Sequence, residues 1–247
     1  MKSLILIMFC LPVTLVAETY QSHEFKTSLI ELYTSEGCSS CPPAEEWLSK
    51  MYQKGFKKKN IIPLAFHVTY WDYLGWNDSF AKKIYDQRQR NMVRREGGST
   101  VYTPQLFLNG KTLRSVSSLK SQLSKTRKIP AQASIQSVTS ETTDDFIVDV
   151  SVDSMKGLVG STVQVNIVGY QNNINSSIKA GENKGNNALH QYVVREIKTV
   201  LLDLKKANNK RFAFKKDDVT DWSGFVIFLE ANGEVVQTLH VSIKKRA

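Results

Sequence analysis

The pattern of hydrophobic residues changes near residue 130, and this change constrains the fold more than any other feature of the chain. Between residues 28 and 127, short apolar runs alternate with segments of helical periodicity, which is typical of strands alternating with helices. Beyond Pro130, apolar residues run together or alternate in twos, with no long helical pattern between them. The sequence therefore predicts a mixed α/β half followed by a β-rich, sandwich-like half.

Local signals place the elements of both halves. The sequence of the first half predicts two strands, at residues 28–33 and 61–68. It also predicts three helices, at residues 44–54, 79–95 and 116–127. Asn109-Gly110 lies between two short extended runs and predicts a tight hairpin. The second half predicts strands at residues 133–138, 146–152, 163–168, 225–229 and 235–241. A second hairpin turn is expected at residues 230–234.

The first segment has the order of a secretory signal peptide. Lys2 precedes an apolar run at residues 4–13, and Ala17 is a small residue followed by polar ones. We expect residues 1–17 to be removed, although an uncleaved anchor is the alternative. The run is too short to be a convincing membrane span, so no stable span is expected after cleavage. This leader predicts a periplasmic or secreted protein.

The composition is that of an ordinary globular protein with a basic balance. The chain has 247 residues, of which 41% are hydrophobic, and 33 Lys and Arg against 23 Asp and Glu give a formal charge of +10. Such a charge suits an anionic partner but names none. Basic residues cluster in the predicted helix at 79–95, where Asp86 lies among them and Glu96 follows directly. We interpret that run as a solvated face and predict no nucleic-acid partner.

Four segments of the chain carry a family resemblance. They are Glu-Leu-Tyr-Thr-Ser-Glu-Gly-Cys-Ser-Ser-Cys-Pro-Pro-Ala at residues 31–44, and residues 65–76, 101–105 and 181–196. Together they resemble the DUF1223 family of uncharacterised secreted bacterial proteins, over nearly all of the chain after the leader. The family has no assigned reaction, so the chemistry is argued from the residues.

The first half also resembles the thioredoxin superfamily. The residues that carry this resemblance are the strand at 29–33, the Cys38-Ser39-Ser40-Cys41 motif after it, and Thr103-Pro104 opening a hairpin. The resemblance implies an α/β thioredoxin-like domain at residues 24–128. A β-rich, sandwich-like domain would then occupy residues 131–247.

Cleavage of the leader removes Cys10 and leaves Cys38 and Cys41 as a Cys-x-x-Cys pair in an oxidising compartment. At a helix start the two side chains share a face, and the helix dipole favours a thiolate. Cys38 would be the nucleophile and Cys41 the resolving thiol of a thiol-disulfide oxidoreductase that needs no cofactor. Its partners would be protein thiols or disulfides and a redox partner protein. A structural disulfide and a metal-binding pair remain open.

Two further roles follow from the thioredoxin resemblance. The Thr103-Pro104 bond would be cis, with Pro104 against the cysteine pair and the Thr103 backbone free to pair with a substrate. Otherwise Pro104 simply begins an edge strand in trans. Glu31 would be the buried acid that assists proton transfer, with a solvent-exposed carboxylate as the alternative.

His67 ends the predicted strand at 61–68, which should point at the cysteines. It could shuttle protons, although a satisfied structural histidine is the alternative. Together with Cys38 and Cys41 it could also form a soft Cu(I) site, as in a periplasmic copper-binding or metallochaperone-like module. Glu36 places a negative charge near Cys38 that opposes thiolate formation. The aromatic loop at residues 70–78 could act as a lid, a substrate platform or packing.

Overall fold

The computed structural model describes residues 17–153, 157–158, 162–203 and 208–243. The predicted leader lies outside the described residues, apart from Ala17. The strands are β1 (Glu18–Gln21), β2 (Ser28–Thr34), β3 (Ile61–His67), β4 (Gln105–Leu108), β5 (Lys111–Thr112), β6 (Ser134–Glu141), β7 (Asp145–Asp153), β8 (Val163–Gln171), β9 (Ile174–Ser177), β10 (Asn187–His190), β11 (Val193–Leu201), β12 (Asn209–Lys215), β13 (Gly224–Ala231) and β14 (Glu234–Ser242).

The helices are fewer than the strands. They are α1 (Pro42–Ser49), α2 (Lys83–Arg95), α3 (Leu119–Thr126) and the single turn α4 (Lys216–Val219), with 3-10 turns at Thr69–Leu74 and Val116–Ser118. None of the helices in the described ranges has the length and apolar character needed to cross a membrane.

One eight-stranded sheet joins the two halves of the chain. Its strand order is β14-β13-β8-β11-β3-β2-β4-β5. The halves meet where β11 pairs in parallel with β3, with Val193 opposite Ala65, and the Ala65 N–H donates to the Tyr192 carbonyl at 2.8 Å. The second half therefore extends the sheet of the first.

The predicted fold class, an α/β thioredoxin-like domain followed by a β-rich sandwich-like domain, is wrong. Strands account for 43% of the structure and helices for 19%, in large sheets with few helices. The physical reason lies at β3. An open edge strand leaves a row of unpaired backbone groups, and the first residue of β11, Val193, pairs with Ala65 in the second half of β3. The boundaries at residues 24–128 and 131–247 stay a prediction, and the sheet crosses them.

A second sheet covers part of the first. It has the order β1-β6-β7-β12, and the alternation of buried and exposed residues along β6 and β7 turns one face inward. Its buried residues form a core with β8, β13 and β14, which includes Ile135, Val148, Val165, Phe214, Phe225 and Ile227. Helices α1 and α3 pack on another part of the large sheet, where Leu48, Met51, Leu119 and Leu123 join Ile30 and Leu32.

Both Asn-Gly hairpins are confirmed. Asn109 and Gly110 have φ angles of 53° and 84° between β4 and β5, and Asn232 and Gly233 have 51° and 84° between β13 and β14. Positive φ at both central residues is what a two-residue type I′ turn requires, and Asn-Gly tolerates it best. Local chemistry alone therefore determined these two connections.

Gly169 in β8 lets the ring of Trp222 lie against the strand, where a side chain on residue 169 would overlap it. A Cβ atom at this position would overlap the ring of Trp222, which is buried in the core between the sheets. We expect Gly169→Ala to lower the free energy of unfolding by about 1–3 kcal/mol or more, as overpacking does. Urea denaturation measures the loss. The same loss in a Trp222→Leu background would show that the ring is not its cause.

Candidate functional site

The cysteine loop, residues 35–41, connects β2 to α1 and holds the candidate nucleophile. Cys38 and Cys41 form a disulfide with Cα atoms 5.5 Å apart, and Cys41 is the residue that precedes α1. Both cysteines are 0% exposed. The disulfide that the spacing allowed is therefore formed, with its sulfur atoms covered.

The backbone around the cysteines is already hydrogen-bonded. The Cys38 N–H donates to the Ser35 carbonyl at 3.1 Å, and the Cys41 N–H donates to the Cys38 carbonyl at 3.2 Å. The first two residues of α1 are prolines, which have no N–H to offer. The helix start thus favours a thiolate through its dipole, without free amide donors from those residues.

A distant part of the chain covers the cysteine loop. This cap segment, residues 178–190, lies between β9 and the end of β10. The Asn183 side-chain amide donates to the Glu36 carbonyl at 2.8 Å and to the Cys38 carbonyl at 2.9 Å. The Ser39 N–H donates to the Glu182 carboxylate at 2.9 Å. The sequence showed this segment only as a polar loop, and nothing local indicated that it reaches the cysteines.

The peptide bond between Thr103 and Pro104 is cis, as predicted. Trp71 lies between this bond and the cysteine loop: its indole N–H donates to the Thr103 hydroxyl at 2.7 Å, and its Cβ atom lies 3.3 Å from where a Cβ on Gly37 would be. The predicted contact of Pro104 with the disulfide, and the pairing of a substrate with Thr103, stay predictions.

Glu31 is buried, so the solvent-exposed alternative is wrong. Its carboxylate accepts hydrogen bonds from the Arg88 guanidinium at 2.8 and 3.0 Å and from the Tyr33 hydroxyl at 3.2 Å. Arg88 also binds the carboxylate of Glu230 in β13, at 2.9 and 3.1 Å. These contacts connect Glu31 to a buried ion triad, and its predicted part in proton transfer remains a prediction.

Five polar residues, one of them Glu36 of the cysteine loop, form the histidine–carboxylate cluster, in which all but Glu45 are buried. His67 Nδ1 lies 2.7 Å from the Asp78 carboxylate. His190 Nδ1 lies 2.7 Å from the Glu45 carboxylate and His190 Nε2 lies 3.0 Å from that of Glu36. The two imidazole rings are 5.1 Å apart between centroids and nearly perpendicular. Sequence reasoning singled out His67, but Glu45, Asp78 and His190 carried no local signal.

The charges of the cluster stabilise one another. Burial lowers the pKa of His190, but hydrogen bonds to Glu36 and Glu45 outweigh it and raise that pKa to about 10. Burial raises the pKa values of the two carboxyl groups, while hydrogen bonds from His190 bring both below their ordinary value. Burial likewise raises the pKa of Asp78, and the charge of His67 lowers it overall.

The residues of the predicted copper site are arranged differently from the expectation. Both sulfur atoms are used in the disulfide. Among the described residues, the group whose donor atoms lie within 4.8 Å of one another around His67 consists of Glu45, His67 and His190, without a cysteine. The Cu(I) set of Cys38, Cys41 and His67 stays a prediction that requires the disulfide to be reduced.

Comparisons with known proteins give a family and a fold. A crystal structure of a structural-genomics protein from Agrobacterium tumefaciens is 25% identical with a TM-score of 0.65, covering 92% of this chain and 99% of that one. HBP35 of Porphyromonas gingivalis is 17% identical with a TM-score of 0.69, covering 90% of this chain and 76% of that one. No curated protein matches the sequence significantly. The family model described as a protein of unknown function, DUF1223, matches residues 29–230, and the chain therefore belongs to the DUF1223 family.

Proposed function

We propose that this protein is a thiol-disulfide oxidoreductase that exchanges disulfides with protein substrates through Cys38 and Cys41. The observation that carries the proposal is the disulfide closed across a Cys-x-x-Cys motif directly before α1. The positive end of a helix dipole stabilises a thiolate there, and the thiolate is the species that attacks or leaves in disulfide exchange.

The reaction needs only substrate thiols and the disulfide. A substrate thiolate attacks the Cys38 sulfur, the bond between the two cysteines breaks, and Cys41 leaves as a thiolate. A second substrate thiolate then attacks the substrate sulfur of the mixed disulfide and releases Cys38 as a thiolate. The substrate gains a disulfide and loses two electrons, which the protein takes up. A redox partner protein then takes up the two electrons and restores the disulfide of the enzyme. The reduction potential of the Cys38–Cys41 pair sets the net direction of exchange.

The surroundings of the disulfide suit an exchange that begins with an opening step. The sulfur atoms are covered, yet Ser39 and Ser40 between them are exposed. A cleft of about 520 Å³ lies beside the loop, between α1 and the cap segment. Hydrogen bonds made by the side chains of Glu182, Asn183 and His190 hold the cap segment on the loop, and its displacement gives a substrate access to Cys38.

The proposal includes an oxidising compartment. The leader at residues 1–17 supports a periplasmic or secreted protein, where a disulfide of this kind persists. The mass of the protein recovered from a periplasmic fraction tests this part, and a mass that retains the leader contradicts cleavage.

The exchange reaction is tested with a fluorescent peptide that carries two cysteines. We expect the oxidised protein to form one peptide disulfide per chain, and Cys38→Ser to abolish this reaction. The Cys41→Ser variant has no resolving thiol. After its Cys38 is oxidised by glutathione disulfide, the variant is therefore expected to accumulate a mixed disulfide. The exposed α1 variant Glu46→Gln serves as the matched control and is expected to behave like the wild type.

Two results would overturn the oxidoreductase. The first is peptide oxidation no faster than in buffer, in either redox direction, by a folded wild-type protein. The second is a Cys41→Ser variant that forms no mixed disulfide. Both outcomes would identify a fixed structural disulfide.

A further inference from the structure

Three donor side chains converge in the histidine–carboxylate cluster, next to α1. The donor atoms of Glu45, His67 and His190 all lie within 4.8 Å of one another, although the residues come from α1, β3 and β10. We propose that these three side chains bind a divalent transition-metal ion, of which Zn²⁺ is the best fit. The site uses neither cysteine and does not depend on the proposed exchange reaction.

One donor of the cluster has no partner. His67 is 1% exposed, and its Nε2 atom makes no hydrogen bond in the described part of the chain. A buried polar atom without a partner costs about 1–3 kcal/mol, so such atoms are rare in folded proteins. Nδ1 of the same ring is fixed on Asp78 at 2.7 Å, which leaves Nε2 as the available donor of His67 in the group formed with Glu45 and His190. A metal ion would satisfy this atom.

Each proposed ligand is held from behind by a second residue. The His67 ring is bonded through Nδ1 to Asp78, and the His190 ring through Nε2 to Glu36 at 3.0 Å. Metal-binding histidines typically have such a carboxylate on the nitrogen that does not bind the metal.

The third ligand follows the same rule. The Thr34 hydroxyl donates to one oxygen of Glu45, and the other oxygen lies 2.7 Å from His190 Nδ1. The atoms left for the metal are therefore His67 Nε2, His190 Nδ1 and that second oxygen of Glu45. This arrangement orients three ligands and keeps their outer atoms occupied.

The donor types select the class of metal. Two imidazoles and one carboxylate suit Zn²⁺ and neighbouring divalent ions, whereas Ca²⁺ and Mg²⁺ prefer oxygen ligands alone. Tetrahedral Zn²⁺ with bonds of about 2.0–2.2 Å places its ligand atoms about 3.3–3.6 Å apart. The ion would thus separate His190 from Glu45, now 2.7 Å apart, and replace the proton between them.

The site has an apolar wall and an entrance. The Phe80 ring lies 5.3 Å from the His67 ring and 5.6 Å from the His190 ring, and closes one side. Glu45 and His190 line the 520 Å³ cleft beside the cysteine loop. An ion can therefore enter from the cleft, and the cleft leaves room for water as a fourth ligand, as in open zinc sites.

The experiment measures Zn²⁺ and Co²⁺ binding to the chelator-treated full-length mature protein. We expect one Zn²⁺ per chain by calorimetry. Co²⁺ should show the visible bands of a four-coordinate site without a thiolate charge-transfer band. His67→Gln, His190→Gln and Glu45→Gln are each expected to weaken Zn²⁺ binding at least 100-fold. Asp78→Asn, which removes the outer partner of His67, should weaken it about 10–100-fold.

Matched variants separate this site from others on the chain. His23→Gln alters an exposed histidine and Glu46→Gln the neighbouring exposed carboxylate, and both are expected to bind Zn²⁺ like the wild type. The Cys38→Ser/Cys41→Ser double variant should also retain binding. Loss of binding in that double variant, or a thiolate band with Co²⁺, would overturn the proposal in favour of cysteine ligation, and leave the exchange reaction to its own test.

Other outcomes also decide the question. Failure of the folded wild type to bind Zn²⁺ stoichiometrically would overturn the proposal. Unchanged affinity in folded His67→Gln would do the same. If one variant fails to fold, the remaining two ligand variants and the Co²⁺ spectrum of the wild type decide, with near-ultraviolet circular dichroism as the measure of folding.

Discussion

Arg88→Met is expected to lower the free energy of unfolding by about 3–5 kcal/mol, because it leaves two buried carboxylates without their cation. The Arg88 side chain is 13% exposed, and those of Glu31 and Glu230 are 0% and 1% exposed. Removal of one partner of a buried ion pair costs far more than the pair contributes, since the remaining charge keeps its desolvation penalty. The loss here falls on both carboxylates at once.

The electrostatics of the triad point the same way. Burial lowers the pKa of Arg88, but Glu230 and Glu31 raise it well above its ordinary value. Burial raises the pKa of Glu230, while the charge of Arg88 holds it below the ordinary value. Because the folded-state pKa of Glu230 is lowered, its contribution to stability is present near neutral pH and is lost as the pH falls below the unfolded value. Stability of the wild type should therefore fall in acid.

Urea denaturation at neutral pH measures the effect of Arg88→Met. Arg94→Met is the matched control, because Arg94 lies on the same helix with an exposed side chain, and its change should stay within about 0.5 kcal/mol. Adding Glu31→Gln and Glu230→Gln to Arg88→Met should recover part of the loss by removing the unpaired charges. A loss below about 1 kcal/mol in Arg88→Met alone would show that the triad is not desolvated.

Asn183→Ala is expected to speed reduction of the Cys38–Cys41 disulfide by about 5–150-fold. Asn183 makes two hydrogen bonds to the cysteine loop, at 2.8 and 2.9 Å, and is buried. Each hydrogen bond contributes about 0.5–1.5 kcal/mol, so the closed state loses about 1–3 kcal/mol. Since 1.4 kcal/mol is a factor of ten, the open population rises by the stated factor.

The rate of reduction by dithiothreitol measures the open population, provided that the cap segment closes faster than the thiol attacks. Asn187→Ala is the matched control, because it removes an exposed amide of the same segment, and we expect no change in its rate. Equal rates for Asn183→Ala and the wild type, in folded proteins, would show that the cap segment does not limit access to the sulfur atoms.

Local sequence determined the elements that depend on neighbouring residues. The two Asn-Gly turns have the positive φ angles that their residue types favour, and the Cys-x-x-Cys spacing allowed the disulfide that is formed. The pattern of the strands was also readable, because burial of one or both faces leaves a periodic trace in the chain. The basic run of α2 was the exception, since the prediction of a solvated face is wrong for Arg88, which lies in the triad.

Only the tertiary structure decided how the strands combine and which side chains meet. Pairing of β11 with β3 follows from backbone hydrogen bonds at an open edge, and any strand of suitable length could make them, so no local pattern encodes that choice. The fold class was wrong for this reason. The histidine–carboxylate cluster likewise joins distant parts of the chain, with His67 at the end of β3 in the large sheet and His190 at the end of β10 in the two-stranded sheet. Their partnership depends on convergence in space, for which separation along the chain gives no signal.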